Sequence, residues 1–371
     1  MLDDPRLSAD LFRTTLAALD MLDGGDPKRI DQTPPSQYVL PLLKDKQRPA
    51  GVRALALQLV DPSDNALGEP LFRELLSPGL PRLASEAVRT LGLSSRSFAA
   101  DLLAGVASDT KRKTGLRADA VAGLGRSLAA ARPGTAPLLA GLVAGEDHVL
   151  AAEALRSLRP VLAGDPESLQ AVLVASRRLQ NVDAPRPEQR AAAEGLALAL
   201  AAARQPIPDH VARLSGSRPK SESDWRKATA KGGDIGAGRR LFFHATAAGC
   251  ARCHTVNGRG RSVGPDLSMI ARSRNRRQLL ESILAPSREV APQFVSWTLV
   301  TTDGRVLNGV IVYENRDKLT VEDAQGKQTS LANTDVELRT PQQKSLMPEK
   351  LIDQMTVSEV RDLLAFLETL K

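Results

Sequence analysis

The chain has 371 residues, of which 42% are hydrophobic, 25% charged and only 3% aromatic, a length and texture that suit two or three cores packed mainly with Leu, Ala and Val. Two cysteines exclude a disulfide framework, and no run of about 18 apolar residues offers a membrane-spanning helix. The formal charge of +7 is uneven: Lys plus Arg against Asp plus Glu is 26 to 25 over residues 1–215 and 24 to 18 over 216–371, so the basic excess gathers in the C-terminal part.

The opening stretch, MLDDPRLSADLFRTTLAALDMLDGG, carries acids where a secretory leader carries Lys or Arg, and its apolar run is interrupted by Asp20. From about Tyr38 to about Arg204, apolar residues recur at helical spacing between short Gly, Pro and Asp signals. The pattern Ala-apolar-x-x-Leu occurs at Ala87–Leu91, Ala120–Leu124 and Ala154–Leu158, at intervals of 33 and 34 residues. That interval fits one helical hairpin per repeat, each burying its apolar face on its neighbours, and it resembles HEAT-type repeats. An irregular helical bundle is the alternative. Residues 1–204 are therefore expected as a HEAT-like helical domain, 205–233 as a linker rich in Pro, Ser, Lys and Gly, and 234–371 as a second domain.

In the second domain Asp234 caps a short helix containing Gly238, Phe242 and Phe243. The hexapeptide GCARCH comes after it, holding Cys250 and Cys253, the two cysteines of the chain, and His254, one of its four histidines. Cys-x-x-Cys-His is the signal for c-type haem attachment: thiols three apart on a turn reach the two vinyl groups, and the adjacent histidine falls beneath the iron. A zinc site would borrow His254 or His244 and a carboxylate as further ligands; a thioredoxin-like dithiol would need a preceding strand in a parallel βαβ setting; chance spacing of two cysteines leaves the histidine unexplained. The Gly-rich loop NGRGRSVGPDL comes next, where Pro265 can offer a backbone carbonyl to the imidazole N–H.

A sixth ligand points to methionine. Met269 lies 15 residues past His254 and is expected in the core; Met355 precedes the last helix and is expected to pack as a staple. Met347, in SLMPE, is followed by Pro348, which holds the backbone out of helix and frees the side chain to face a ligand. Core packing of Met347 with His244 as a second axial histidine is the alternative, His244 being otherwise expected on the surface. Residues 274–290 read as a helix ended by Pro286, Phe294–Leu338 as three or four β-strands with turns at Asp303-Gly304 and near Gln325-Gly326, and the C-terminus as an amphipathic helix with Thr356 or Ser358 at its N-cap.

Residues 234–371 resemble a class I cytochrome c of the haem-binding domain family known from planctomycetes and verrucomicrobia, through GDIGAGRRLFF, CARCH, GPDL, LLESILAPS, SLMPE and SEVRDLLAFLETL. The resemblance implies a mainly α fold, here a HEAT-like α-solenoid followed by a cytochrome c domain with a small antiparallel β insertion at about 294–338. It also implies a crossing of Gly238 and Phe242 on the first helix with Phe366 on the last. The insertion accounts for the 93 residues between His254 and Met347.

The same resemblance implies one covalent haem c per chain, tethered by Cys250 and Cys253, with His254 and Met347 as iron ligands and Pro265 behind the histidine. The activity would be one-electron transfer, not catalysis, to a redox partner or as the electron-accepting module of a dehydrogenase. Covalent attachment occurs outside the cytoplasm, so a periplasmic or otherwise exported setting is expected, the chain then belonging to a longer precursor or having its start assigned too late. Eight arginines between Cys250 and Glu289 face three acids and could steer an acidic partner. Two other classes stay open: a zinc-stabilised helical scaffold, and a basic repeat protein binding nucleic acid, which the near-neutral repeats and few aromatics disfavour.

Overall fold

The computed structural model describes residues 4, 7–24, 36–130 and 132–371; residues 1–3, 5–6, 25–35 and 131, all inside the expected helical domain 1–204, lie outside the described residues. Among the described residues the chain is mainly helical, with sixteen α-helices and a small antiparallel sheet, and no helix is long and apolar enough to cross a membrane. It divides into two units, Met1–Ala175 and Ser176–Lys371.

The first unit holds α1 (Ala9–Leu22), α2 (Ser36–Lys44), α3 (Ala50–Leu59), α4 (Glu69–Leu75), α5 (Pro81–Leu93), α6 (Ser97–Ser108), α7 (Thr114–Ala129), α8 (Thr135–Val143), α9 (His148–Leu158) and most of α10 (Pro166–Arg177). Helices α3, α5, α7 and α9 pack successively side by side, while α6 leans on α7 and α8 on α9. The three Ala-apolar-x-x-Leu pentads occupy corresponding places in α5, α7 and α9, with Ala87, Leu91, Ala120, Leu124, Ala154 and Leu158 all buried. Such spacing buries one stripe of each helix against the next.

The second unit begins with the end of α10, then α11 (Pro187–Ala202), α12 (Asp209–Ser215) and α13 (Glu222–Ala228). The stretch 205–233, expected as a linker, carries the last two of these, both short. Its composition is polar, but Val211, Leu214 and Trp225 are buried and anchor them, and Ser221 with Asp224 forms a capping box. Next come α14 (Ile235–Phe243), a 3-10 turn at Cys250–Arg252, the two-residue strands β1 (Thr255–Val256) and β2 (Arg259–Gly260), and α15 (Arg276–Leu284). The chain closes with α16 (Val357–Leu367), which starts in a capping box of Thr356 with Glu359. Helices α14 and α16 cross at Gly238, where an added Cβ would lie 2.0 Å from the Asp362 carbonyl oxygen. Phe242 and Phe366 meet there edge to face, with centroids 5.6 Å apart.

Between α15 and α16 the chain leaves to form β3 (Ser296–Thr301), β4 (Val306–Glu314), β5 (Lys318–Glu322), β6 (Gln328–Ala332) and β7 (Val336–Pro341). The sheet order is β6-β5-β4-β3-β7, fully antiparallel, so the first and last strands of the excursion are neighbours, with Trp297 paired to Pro341. The expected three or four strands are therefore five. The extra one, VELRTP, is an edge strand that follows directly on the 3-10 turn Asn333–Asp335 and buries no residue, its Leu338 being exposed. The sheet's own small core is Leu299, Leu319, Val321 and Leu331.

Candidate functional site

Helix α14 ends at His244, whose Nδ1 accepts the backbone N–H groups of Thr246 (3.2 Å) and Ala247 (3.1 Å). His244 is 3% exposed and braces this turn, contrary to the surface position expected, because the chain reverses over it toward the cysteines. Gly249 then takes φ +62°, a left-handed conformation that glycine adopts without Cβ strain, and starts the 3-10 turn. The Cys250 carbonyl accepts N–H groups from Cys253 (3.1 Å) and His254 (2.9 Å), which brings the thiols and imidazole onto one tight turn.

Both thiols are free and half-buried. Burial pushes the Cys250 thiol up to about 12 and raises Cys253 as well, against the opposing pull of Arg252 and Arg261. Burial lowers His254, against a rise from its bond to Pro265. At neutral pH the site therefore holds two thiols and a neutral imidazole.

Nδ1 of His254 lies 2.9 Å from the carbonyl oxygen of Pro265. A carbonyl only accepts, so the proton sits on Nδ1 and the Nε2 lone pair is left to act as a donor to a metal. Gly264 rests on the other side of this contact: a Cβ there would be 2.8 Å from Cε1 and 3.0 Å from Nδ1 of the ring. The loop is sewn to the turn by Gly264 N–H to Cys253 O (2.7 Å), Leu267 N–H to Thr255 O (2.8 Å) and Arg261 N–H to Ala251 O (3.1 Å).

Met347 is half-buried and packs on the same core as Cys250, Ala251, Leu267 and Ile270. Its N–H donates to Ser345 Oγ (3.1 Å), Ser345 N–H donates to Ser287 Oγ (3.2 Å), and Ser296 Oγ donates to the Lys344 carbonyl (2.9 Å). Met355 is fully buried, as a core position requires. Met269 is not in the core: it is 48% exposed, because Leu267 and Ile270 on either side supply the apolar anchors of that segment.

The eight arginines are mostly committed. Arg274 pairs with Glu289, Arg276 with Glu368, Arg277 with Glu281 and Arg288 with Glu222. Arg276 also donates to the carbonyls of Thr229, Gly232 and Arg361, joining α15 to α16 and to the loop before α14. The net positive field of this stretch is correspondingly smaller than the count of arginines implies. Two residues of the site show their part only in the fold: Gly264, read in the sequence only as part of GPDL, and Arg261, read only as one of eight arginines, whose partner is 64 residues away.

The donors present, two thiols, an imidazole with Nε2 available and a thioether, match the chemistry of a c-type haem. Among the described residues no group of three or more His, Cys, Asp or Glu side chains converges to hold a metal ion on its own. No protein-family model matches this chain, and no curated protein matches it.

Proposed function

We propose that the chain is a c-type cytochrome with one covalent haem, a one-electron carrier and not itself an enzyme. The observation that carries this reading is the His254–Pro265 contact beside the paired thiols, with the proton held at Nδ1 and Nε2 left as donor. Cys250 and Cys253 would tether the group, as neutral thiols suited to adding across vinyl bonds, and His254 and Met347 would be its axial donors. The group would supply one-electron exchange, and with His254 and Met347 both given to it no position would be left for a substrate. Pro265 keeps the imidazole oriented and strengthens it as a donor, Gly264 leaves the ring the room it occupies, and the surrounding apolar residues exclude water.

The crossing of Gly238 and Phe242 with Phe366 supports a class I cytochrome c domain, and the row α3, α5, α7, α9 supports a HEAT-like stack that docks a partner or a dehydrogenase module. Attachment chemistry implies an exported, periplasmic-type setting. The zinc alternative would need two donors beyond the thiols, and it would need thiolates where burial favours thiols.

The test is expression behind an export signal in a host that matures c-type cytochromes, with spectra of the oxidised and dithionite-reduced protein and haem staining of the denatured chain. A sharp reduced α-band and stain retained after denaturation are expected, with the weak methionine-to-iron band lost in Met347→Ala. A colourless protein with stoichiometric zinc overturns the reading.

A further inference from the structure

The loop after His254 is gripped from outside its own segment by the inserted sheet. The Arg261 guanidinium donates through Nη1 to the carbonyl of Gln325, in the turn between β5 and β6. That turn is built to present the oxygen. Asp323 Oδ1 accepts the N–H groups of Gln325 and Lys327, each at 2.9 Å, and Gly326 N–H donates to the Asp323 carbonyl at 2.9 Å. Gly326 stands at φ +78°, and the space its Cβ would fill belongs to Arg261, with Nη1 2.5 Å away. On the other side, the Arg261 backbone is part of the site itself: its N–H donates to Ala251 O and its carbonyl accepts from Thr255 Oγ1 at 3.1 Å. Residues 251 and 255 flank the Cys253-His254 pair, and Gly264 and Pro265, which touch the imidazole, come within four residues of Arg261.

We infer that Arg261 is a positioning residue for His254, clamping the 255–265 loop to the β5–β6 turn so that Gly264 and the Pro265 carbonyl stay against the ring. The inserted sheet is then a working part of the haem-binding apparatus, not an appendage. This rests on His254 being an axial donor. Glu322, at the end of β5, is buried and held by Gln328 Nε2 at 3.0 Å, which fixes the strand from which the turn leaves.

The test uses the full chain as purified from the maturing host, by hydrogen exchange of peptides covering 255–267 and of the His254 Nδ1 proton. Arg261→Ala removes the clamp; Gly326→Ala displaces the guanidinium while keeping its charge. Gly304→Ala is the control, since Gly304 has φ +83° with nothing within 4 Å and meets the same backbone strain without touching Arg261. Arg261→Lys keeps charge and a donor. Exchange is expected to rise about tenfold in the first two variants, the factor set by one charge-assisted hydrogen bond, to stay near the parent in Gly304→Ala, and to be rescued by Arg261→Lys. Equal rates in Gly326→Ala and Gly304→Ala, or parent rates in Arg261→Ala, overturn the clamp. The pigment of the same samples is scored separately. A red parent whose Arg261→Ala variant shows unchanged exchange refutes the clamp alone, and a colourless parent refutes the haem reading however the loop behaves.

Discussion

Replacing Gly238 by alanine is the sharpest test of how the second unit is held together. The added methyl carbon would lie 2.0 Å from the Asp362 carbonyl oxygen, 2.5 Å from its carbon and 2.9 Å from Phe366 Cβ. Two of these are backbone atoms of α16 and cannot swing aside. Restoring an ordinary 3.4 Å contact requires α14 and α16 to separate by about 1.4 Å. A gap of roughly 1 Å already forfeits up to about half of each dispersion contact, and this interface includes Leu241, Phe242, Val360, Leu363 and Phe366, all buried. The Asp234 N–H bond to Asp362 Oδ1 at 2.7 Å would go as well. Overpacking typically costs about 1–3 kcal/mol, and a backbone clash with these losses puts the expected value at ~3–4 kcal/mol. With a urea dependence of about 2 kcal/mol per molar, the midpoint should fall by about 1.5–2 M. Tryptophan fluorescence reads the right unit, since Trp225 and Trp297, the two tryptophans of the chain, both lie in it. Gly236→Ala is the matched control: it is on the same helix, its Cβ would meet only the ends of the Arg240 and Asp234 side chains, and helix propensity favours it by up to about 1 kcal/mol. Equal midpoints for the two variants would refute the close crossing.

Two further perturbations address buried charge. Glu194 Oε2 accepts the Ser358 N–H at the start of α16 (2.9 Å), and burial raises its carboxyl above the ordinary value. The folded state therefore holds that proton more tightly than the unfolded chain, and the stability this gives is present below the ordinary carboxylate range and lost as pH rises through the raised value. Glu194→Gln should thus be more stable than the parent at neutral pH, with the difference shrinking in urea midpoints taken at falling pH; a constant difference would contradict it. In the first unit Glu153 and Arg156 form a buried pair at 2.5 Å on α9. Glu153→Ala should cost about 2–3 kcal/mol by taking a charged hydrogen-bond partner from the buried Arg156, whereas Glu153→Leu with Arg156→Met should cost less, as circular dichroism melts of the two will show.

Local chemistry explains what the sequence reveals of this molecule. Helical spacing from Tyr38 onward, the β-branched alternation after Phe294 and the Thr356 cap each depend on residues within one or two turns of each other, and all appear in the structure. The contact between His254 and Pro265 spans eleven residues and is readable from a histidine followed by a Gly-rich loop with a proline. Legibility fails where tertiary burial overrides composition. His244 looks like any exposed polar residue until the chain folds back over it, Met269 looks apolar enough for a core that Leu267 and Ile270 fill instead, and the helices around Val211 and Trp225 are masked by Pro, Ser and Gly.

The 93 residues between His254 and Met347 pose a different problem, because a flexible loop of that length would leave the second axial candidate without a defined position. The strand order supplies the answer. Since β3 and β7 are neighbours, the excursion departs and returns about one strand spacing, ~4.8 Å, apart, and the ladder of β3 with β4 and β7 orders everything between. The Gln342 N–H closes the root on the Ser296 carbonyl at 2.8 Å, and Ser345 is then fastened to Ser287, just after α15. In effect the Met347 segment is spliced onto the end of α15, so the insertion adds length to the chain without adding freedom to that methionine. The β5–β6 turn, two strands across the sheet, meanwhile reaches Arg261. One folded excursion can therefore set the methionine segment from its root and the histidine loop from its β5–β6 turn.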